Sequence, residues 1–325
     1  MAMTAFAGGT GNVGRAIVEA ILATGKHQVK ILSRKPNPAL EKEIGAPILP
    51  VDYSSVPAIV KVLEDNQIDT VVSGITMHTA DGNVPNEFEL IRAADLSKVT
   101  KRLISSEWGA PVTEAQLGVI PSVPHKLAAF ALLQQTTSLE YTVFHNGFFM
   151  DYWGIPAVKS HFARSPLVAW IDIPNRAAAI PGSGDVYAHF THTSDVAKFV
   201  AASLDLPKWD KETFVYGDRI TWNQFVRLAE EVRGGQPGFD VRHDPVDKLK
   251  RGEATELPGQ VALYEFFPKE MLQGMLAAFG LWFEEGVFEL KPEQAQAGFL
   301  NDKLPGVKPM KVREMLERAW GKNSE

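Results

Sequence analysis

The stretch FAGGTGNVGRAIVEAIL, residues 6–22, limits the fold more than any other part of the chain. A short β-rich run, MTAFAG, leads into it and a helical pattern leads out. Gly8, Gly11 and Gly14 are spaced G-x-x-G-x-x-G, while Gly9, Gly11 and Gly14 also fit G-x-G-x-x-G. Small residues let a backbone turn tightly and approach a pyrophosphate, whose charge the positive end of the following helix favours. A plain tight turn is the competing reading. The strand before, the helix after and a second strand on schedule favour the nucleotide loop, with Gly8, Thr10, Gly11, Asn12, Val13 and Gly14 as its expected contacts.

The rest of the first half keeps the same rhythm. The runs QVKILS, APILPV, DTVVSG, KRLISS and EYTVFH alternate with helical patterns near 12–24, 37–45, 54–66 and 85–97, and with a further helix beginning near Ser122. Such alternation implies right-handed crossovers and an α/β, Rossmann-type doubly wound parallel sheet with helices on both faces. Chemistry is then expected in the loops at the carboxyl ends of the strands. From about residue 147 the rhythm breaks into a region with aromatic residues and prolines. The expected division is therefore a nucleotide-binding domain over 1–150 and a smaller, mostly helical substrate part over 151–325, with the segment near 187–216 returning to the first. Thr221 and Gln224 have capping-box spacing, and Val312, Met315, Leu316 and Trp320 give the last helix one apolar face.

The balance of the 325 residues, 45% hydrophobic and 22% charged, suits a globular protein with a large core. No cysteine is present, which excludes disulfides, thiolate nucleophiles and cysteine metal sites. A net charge of -6 gives no basic field for a nucleic-acid partner. No basic region precedes an apolar segment at the N-terminus, and no apolar run approaches the roughly 18 residues of a bilayer span. A cytoplasmic protein acting on a small molecule, with no nucleic acid and no membrane, is the expectation.

At the end of the second strand an NAD site usually shows Asp or Glu for the ribose 2′-hydroxyl. This chain reads Ser33-Arg34-Lys35 instead. A guanidinium and an ammonium suit a 2′-phosphate, so NADPH is the expected cofactor. Two solvated surface cations are the alternative.

A proton donor is harder to find. None of the tyrosines, at 53, 141, 152, 187, 216 and 264, has lysine four residues later, so the Tyr-x-x-x-Lys pair of ordinary short-chain dehydrogenases is missing. In SVPHKLAAFALLQQ, Ser122 can cap, Pro124 suits the first turn, and Lys126 falls where the helix dipole disfavours a cation. That position and partial burial both act to lower a lysine pKa, which makes Lys126 the leading candidate for a proton relay. A lysine with its stem on the helix and its head in water is the alternative.

NGFFMDYW places Phe148, Phe149, Tyr152 and Trp153 directly after a strand, either as an apolar pocket for an aromatic substrate or as a packed hinge. His125 and His145 flank the lysine, more simply as structural histidines. His189 and His192 are three apart on a strand pattern and would face opposite sides, so no metal is expected. No H-E-x-x-H and no G-x-S-x-G occurs.

AGGTGNVG, KRLISSEWG, the helix lysine Lys126, YTVFHNGFFMDYW and FTHTSDVAKFVAASLD together resemble the atypical short-chain dehydrogenases of the NmrA-like and isoflavone-reductase-like group, especially its fungal members. The resemblance runs over nearly the whole chain; lysine followed at this interval by Asn-Gly-Phe-Phe is its most specific part. It implies an NADPH-binding Rossmann domain, Ser73, Gly74 and Ile75 beside the cofactor, Asn146, Gly147 and Phe148 near the nicotinamide, and Trp108 in the substrate cleft. It also implies that Lys126 assists hydride delivery to an electron-poor carbon. The leading reading is an NADPH-dependent reductase of a small aromatic or polyketide-like enone, quinone or ketone. Two readings stand beside it: an NmrA-like redox sensor with a protein partner and no turnover, and an isomerase, dehydratase or cyclase that keeps the cofactor.

Overall fold

Strands covered on both faces need apolar side chains on both, which is why the early strands read as continuous hydrophobic runs rather than alternating ones. In the computed structural model, which describes residues 3–77, 86–118, 120–164 and 167–321, those runs become β1 (Met3–Ala7), β2 (Gln28–Ser33), β3 (Ile48–Pro50), β4 (Thr70–Ser73), β5 (Arg102–Gly109) and β6 (Glu140–His145). Between them lie α1 (Asn12–Thr24), α2 (Pro38–Ile44), α3 (Val56–Asp65), α4 (Glu87–Leu96) and α5 (Val123–Leu133).

The remaining elements are β7 (Phe148–Phe149), β8 (Ile171–Asp172), β9 (Ala177–Pro181), β10 (Tyr187–Thr191), α6 (Thr193–Ser203), β11 (Glu212–Phe214), β12 (Asp218–Thr221) and α7 (Trp222–Val232). They continue through β13 (Asp240–Asp244), α8 (Val246–Lys250), α9 (Lys269–Glu284), α10 (Leu300–Lys303) and α11 (Val312–Trp320).

The large sheet has the order β11-β6-β5-β4-β1-β2-β3, with every neighbouring pair parallel. Its order reverses between β1 and β4, which opens a crevice at the carboxyl ends of those strands. Alternation along β1 separates the two faces: Phe6 packs with Ile17 and Val18 of α1 and Val196 and Phe199 of α6. Ala5 and Ala7 pack on the other face with Ile59, Leu90 and Leu133, from α3, α4 and α5. This is the doubly wound fold expected from the sequence.

A second core, rich in aromatic side chains, includes Trp153, Trp170, Phe190, Trp222, Phe225, Phe283 and Leu316. Two three-stranded sheets, β12-β10-β7 and β13-β9-β8, frame it. Thr221 and Gln224 form the expected capping box of α7, and α11 buries Val312, Met315 and Leu316.

The segment 187–216 returns to the large sheet only in part. α6 packs on α1 and β11 extends the sheet beside β6, but β10 pairs with β7 and β12 instead. The chain leaves β6 through Gly147, whose φ is +68°, and the short β7 takes up β10 as its partner. A Cβ at Gly147 would lie 2.2 Å from the carbonyl oxygen of His189, so this crossing requires glycine. No helix among the described residues is long and apolar enough to cross a membrane.

Candidate active site

The glycine loop has the shape a pyrophosphate cradle needs. Gly8 has a φ of +77°, and a Cβ there would lie 2.7 Å from the carbonyl oxygen of Gly74. A Cβ at Gly14 would lie 2.3 Å from the Gly8 oxygen, so the first turn of α1 can approach the strand end only as glycine. Thr10 lies in the turn, Gly11 is the N-cap of α1 without a side-chain cap, and Asn12 and Val13 begin the helix. A helix N-terminus left without a side-chain acceptor is suited to an anion, so these residues fit a dinucleotide phosphate.

Ser33 ends β2 next to this loop, because Ala7 and Leu32 are register partners. Arg34 and Lys35 follow it, exposed and without an ion pair or hydrogen bond among the described residues.

The ends of β4 and β5 are tied together by a buried carboxylate. Glu87, fully buried at the start of α4, accepts hydrogen bonds from the Ser73 hydroxyl, from Ser105 Oγ at 2.6 Å and from the Ser106 amide at 3.1 Å. Burial pushes its carboxyl group up from the ordinary carboxylate range, against the pull of those hydrogen bonds. Ser106 Oγ donates to the Ile75 carbonyl at 2.8 Å, and Trp108 Nε1 donates to the Ser73 carbonyl at 2.8 Å. Ser73, Gly74 and Ile75 therefore form a braced edge between the glycine loop and Trp108.

Lys126 lies in the first turn of α5, and its side chain is only 16% exposed. Nζ donates to the main-chain carbonyl of Glu107 at 2.5 Å and lies 3.1 Å from that residue's Oε1. The head is thus not a solvated one. Two expectations need correction. Ser122 has helical φ and ψ and makes no side-chain cap, because the helical conformation already begins there. The dipole does not act on the lysine alone either, since the Glu107 carboxylate offsets the bias against a cation at that helix end.

Beyond the lysine is an apolar cavity of about 220 Å³ lined by Trp108, Lys126, Gly147, Phe148, Phe149, Tyr152, Trp170, Phe279 and Phe288, among others. The Phe148 ring stands 5.5 Å from Trp170 and 5.4 Å from Phe288, so its side chain belongs to the cavity wall. Burial, and then the neighbouring Asp151 charge, pushes the Tyr152 phenol up. Trp153 does not line this cavity. The 3-10 turn Met150–Trp153 directs it into the second core, 3% exposed, where Nε1 bonds the Ile171 carbonyl and the ring meets Phe190, Trp222 and Phe225. Its expected role as a substrate contact is replaced by packing.

Asn146 is fully buried, with its Oδ1 lacking a hydrogen-bond partner among the described residues, while its carbonyl accepts from Thr191 at 2.6 Å. A larger cavity of about 690 Å³ between α1 and α6 contains none of these site residues. Volume is therefore no guide here; the convergence of glycines, cations and an amine is.

Residues 8–160 match a family model described as NAD(P)H-binding. "Oxidoreductase BOA1" from Botryotinia fuckeliana is 34% identical over 309 residues, covering 95% of this chain and 96% of the relative. The chain belongs to the NAD(P)H-binding oxidoreductases. "Pinoresinol reductase 2" from Arabidopsis thaliana is 25% identical, covering 69% of this chain and 72% of its own. A solved leucoanthocyanidin reductase–NADPH complex from Vitis vinifera superposes with a TM-score of 0.73 at 19% identity, covering 97% and 98% of the two chains, which speaks for the shared fold.

In this oxidoreductase the structure brings Lys126, Trp108, Phe148, Phe149 and Tyr152 to one cavity, and Gly8, Gly14, Ser73 and Gly74 to one neighbouring edge. His125 does not line that cavity and stands 6.4 Å from Phe88. His189 and His192 are buried, His192 capping α6 through its ring, and no group of three potential metal ligands occurs among the described residues.

Sequence reasoning missed Glu87 and Glu107. Glu107 lies inside KRLISSEWG, and its place directly after the buried Ser105 and Ser106 at a strand end is the signal that marks it. Nothing in the α4 pattern distinguished Glu87 from a solvated first-turn acid.

Proposed function

We propose that this oxidoreductase uses NADPH to reduce a compact aromatic or polyketide-like enone, quinone or ketone, with Lys126 as the proton relay. The observation that carries this reading is the Lys126 amine, sheltered from solvent and ion-paired at 3.1 Å with Glu107, on the wall of an aromatic cavity. About 220 Å³ is below the roughly 300–1,000 Å³ of sites for drug-sized ligands, so one or two fused rings suit it.

Each group has a distinct task. Gly8, Thr10, Gly11, Asn12, Val13 and Gly14 would hold the pyrophosphate, and Arg34 and Lys35 the 2′-phosphate, with Ser33 at the ribose. The edge Ser73–Ile75 and the segment Asn146–Phe148 would frame the nicotinamide, Asn146 Oδ1 offering an acceptor that the described residues leave unused. NADPH, when bound, supplies the hydride. Trp108, Phe149 and Tyr152 bind and orient a planar substrate and exclude water, and Lys126 gives its proton to the substrate oxygen.

The test follows loss of absorbance at 340 nm while NADPH is presented with quinones, enones and aryl ketones. Lys126→Met and Lys126→Ala are expected to lose turnover by about a hundredfold or more while still binding NADPH. Near-normal turnover in both variants at saturating NADPH removes the relay role. NADPH consumed by none of the probes, with product still formed, redirects the site to non-redox chemistry.

A further inference from the structure

The aromatic cavity holds one proton donor and no second acid–base side chain beside it. Among its lining residues there is no carboxylate and no imidazole, and the Tyr152 phenol is held in its protonated form by burial. Yet each reduction removes one proton from Lys126. The resupply must come from elsewhere.

A second cavity, of about 360 Å³, adjoins the first, and Lys126 and Val112 are the two residues that line both. Its lining differs in carrying several ionisable groups. Glu107, His145, Glu212, Glu289 and Lys291 all line it. His145 ends β6, with its Nε2 2.9 Å from Glu212 Oε2 of the adjacent β11. The two differ in access: the His145 side chain is 4% exposed and that of Glu212 26%. His145 Nδ1 is buried without a hydrogen-bond partner among the described residues, and its ring lies 4.8 Å from Phe214. Every titratable group named for this cavity faces the same space from β5, α5, β6, β11 or the stretch after α9.

We propose that this polar cavity is the proton-entry route of the reductase, with His145 and Glu107 as positioning residues that return a proton to Lys126 after each turnover. The inference rests on the relay reading of Lys126. In each cycle the substrate gains one hydride from NADPH and one proton from the Lys126 ammonium, which leaves a neutral amine and NADP+. The amine regains a proton from the His145 imidazolium by way of Glu107 and cavity water. The imidazole is recharged from solvent at Glu212, so one proton enters for each NADPH oxidised. The arrangement separates an aromatic side for hydride transfer from a side with ionisable groups for proton uptake, with one amine serving both.

The experiment uses the NADPH-loaded full chain with 9,10-phenanthrenequinone as probe, read at 340 nm in single-turnover and steady-state modes. His145→Gln is expected to keep its single-turnover rate while steady-state turnover falls by about tenfold to a hundredfold. His145→Gly is expected to recover turnover when imidazole is added, which a merely structural role for the ring does not allow. Glu107→Gln, which also removes the ion pair to Lys126, is expected to slow later turnovers more than the first. Equal slowing of both phases without imidazole rescue, or no slowing in His145→Gln, overturns the proposal. Lys126→Met is expected to lose both phases; if it keeps both, the relay reading itself fails. A readout free of turnover is the ¹⁵N-histidine NMR titration of the protein. The His145 signal is expected to respond to Lys126→Met, whereas that of the exposed His243 does not, and an unresponsive His145 overturns the link between the cavities.

Discussion

Trp108 and Ser73 are joined by a 2.8 Å hydrogen bond from the indole Nε1 to the main-chain carbonyl. The bond links the wall of the aromatic cavity to the end of β4, which in turn lies against Gly8 of the glycine loop. Trp108→Phe keeps a ring in the wall and orphans the Ser73 carbonyl. About 1 kcal/mol, or fivefold, is the ordinary net cost of such a bond. NADPH and aromatic substrates are both expected to bind several-fold more weakly in this variant, measured by calorimetric titration.

Arg34 and Lys35 stand just past β2 with no ion pair or hydrogen bond among the described residues, so both remain available to an anion. Charge-assisted bonds contribute roughly 1.5–3 kcal/mol each. Arg34→Ala is expected to raise the Kd for NADPH by about tenfold to a hundredfold and leave that for NADH unchanged. Equal wild-type affinities for the two cofactors contradict the assignment.

Adjacent aromatics in MDYW have opposite fates, and substitution separates them. Trp153→Ala removes a ring packed on Phe190, Trp222 and Phe225, and is expected to cost about 3–5 kcal/mol in urea unfolding. Tyr152→Phe leaves stability close to wild type, because the phenol has no hydrogen-bond partner among the described residues, and shifts KM for oxygenated aromatic probes instead.

His189 makes stability depend on pH. Burial, followed by the nearby Arg219 guanidinium, lowers its pKa from 6.5 to about 4. The unfolded imidazole takes up a proton below about pH 6.5 and the folded one does not, so the stabilisation is complete above that pH. It declines by about 1.4 kcal/mol per pH unit as pH falls through the window down to about 4. Urea midpoints measured between pH 7 and pH 4 are expected to show this slope in wild type. His189→Asn, which keeps an acceptor for the Leu290 amide, is expected to flatten it.

Glu87 carries the opposite sign. Its folded-state pKa is raised, chiefly by burial, so its contribution is present below the unfolded value of 4.5 and is lost as pH rises through the folded one. Glu87→Gln removes that alkaline loss and keeps an acceptor for Ser105 and the Ser106 amide. The variant is expected to melt at a higher temperature than wild type at pH 8, with the advantage shrinking toward pH 4. Glu87→Ala, which leaves three donors without a partner, is expected to melt lower at both.

Where a feature depends on covalent neighbours, the residues announced it. α1 spans Asn12–Thr24 and β2 Gln28–Ser33, the limits that periodicity and the glycine spacing predict. The Thr221–Gln224 capping box is likewise a four-residue matter. β10 was misread for the converse reason: YAHFT has the composition of a sheet strand, and whether it pairs with β6 or β7 depends on the path of the chain through Gly147. The sequence left Trp153 open between pocket and packed hinge, because the 3-10 turn that carries it into the second core has no periodicity from which its facing can be read.

By itself the sequence determined the doubly wound sheet and the tight glycine turn into α1, and it singled out Lys126 as a candidate, since alternating periodicity and close glycines are local instructions that any compact arrangement must obey. Only the tertiary structure decided what surrounds that lysine. Glu107 is 19 residues away, on another element, and His145 and Glu212 arrive from two further strands. Strand register and crossover path bring Glu107 to the amine and the other two to the same cavity, and no spacing along the chain encodes a meeting that depends on four separate segments folding against one another.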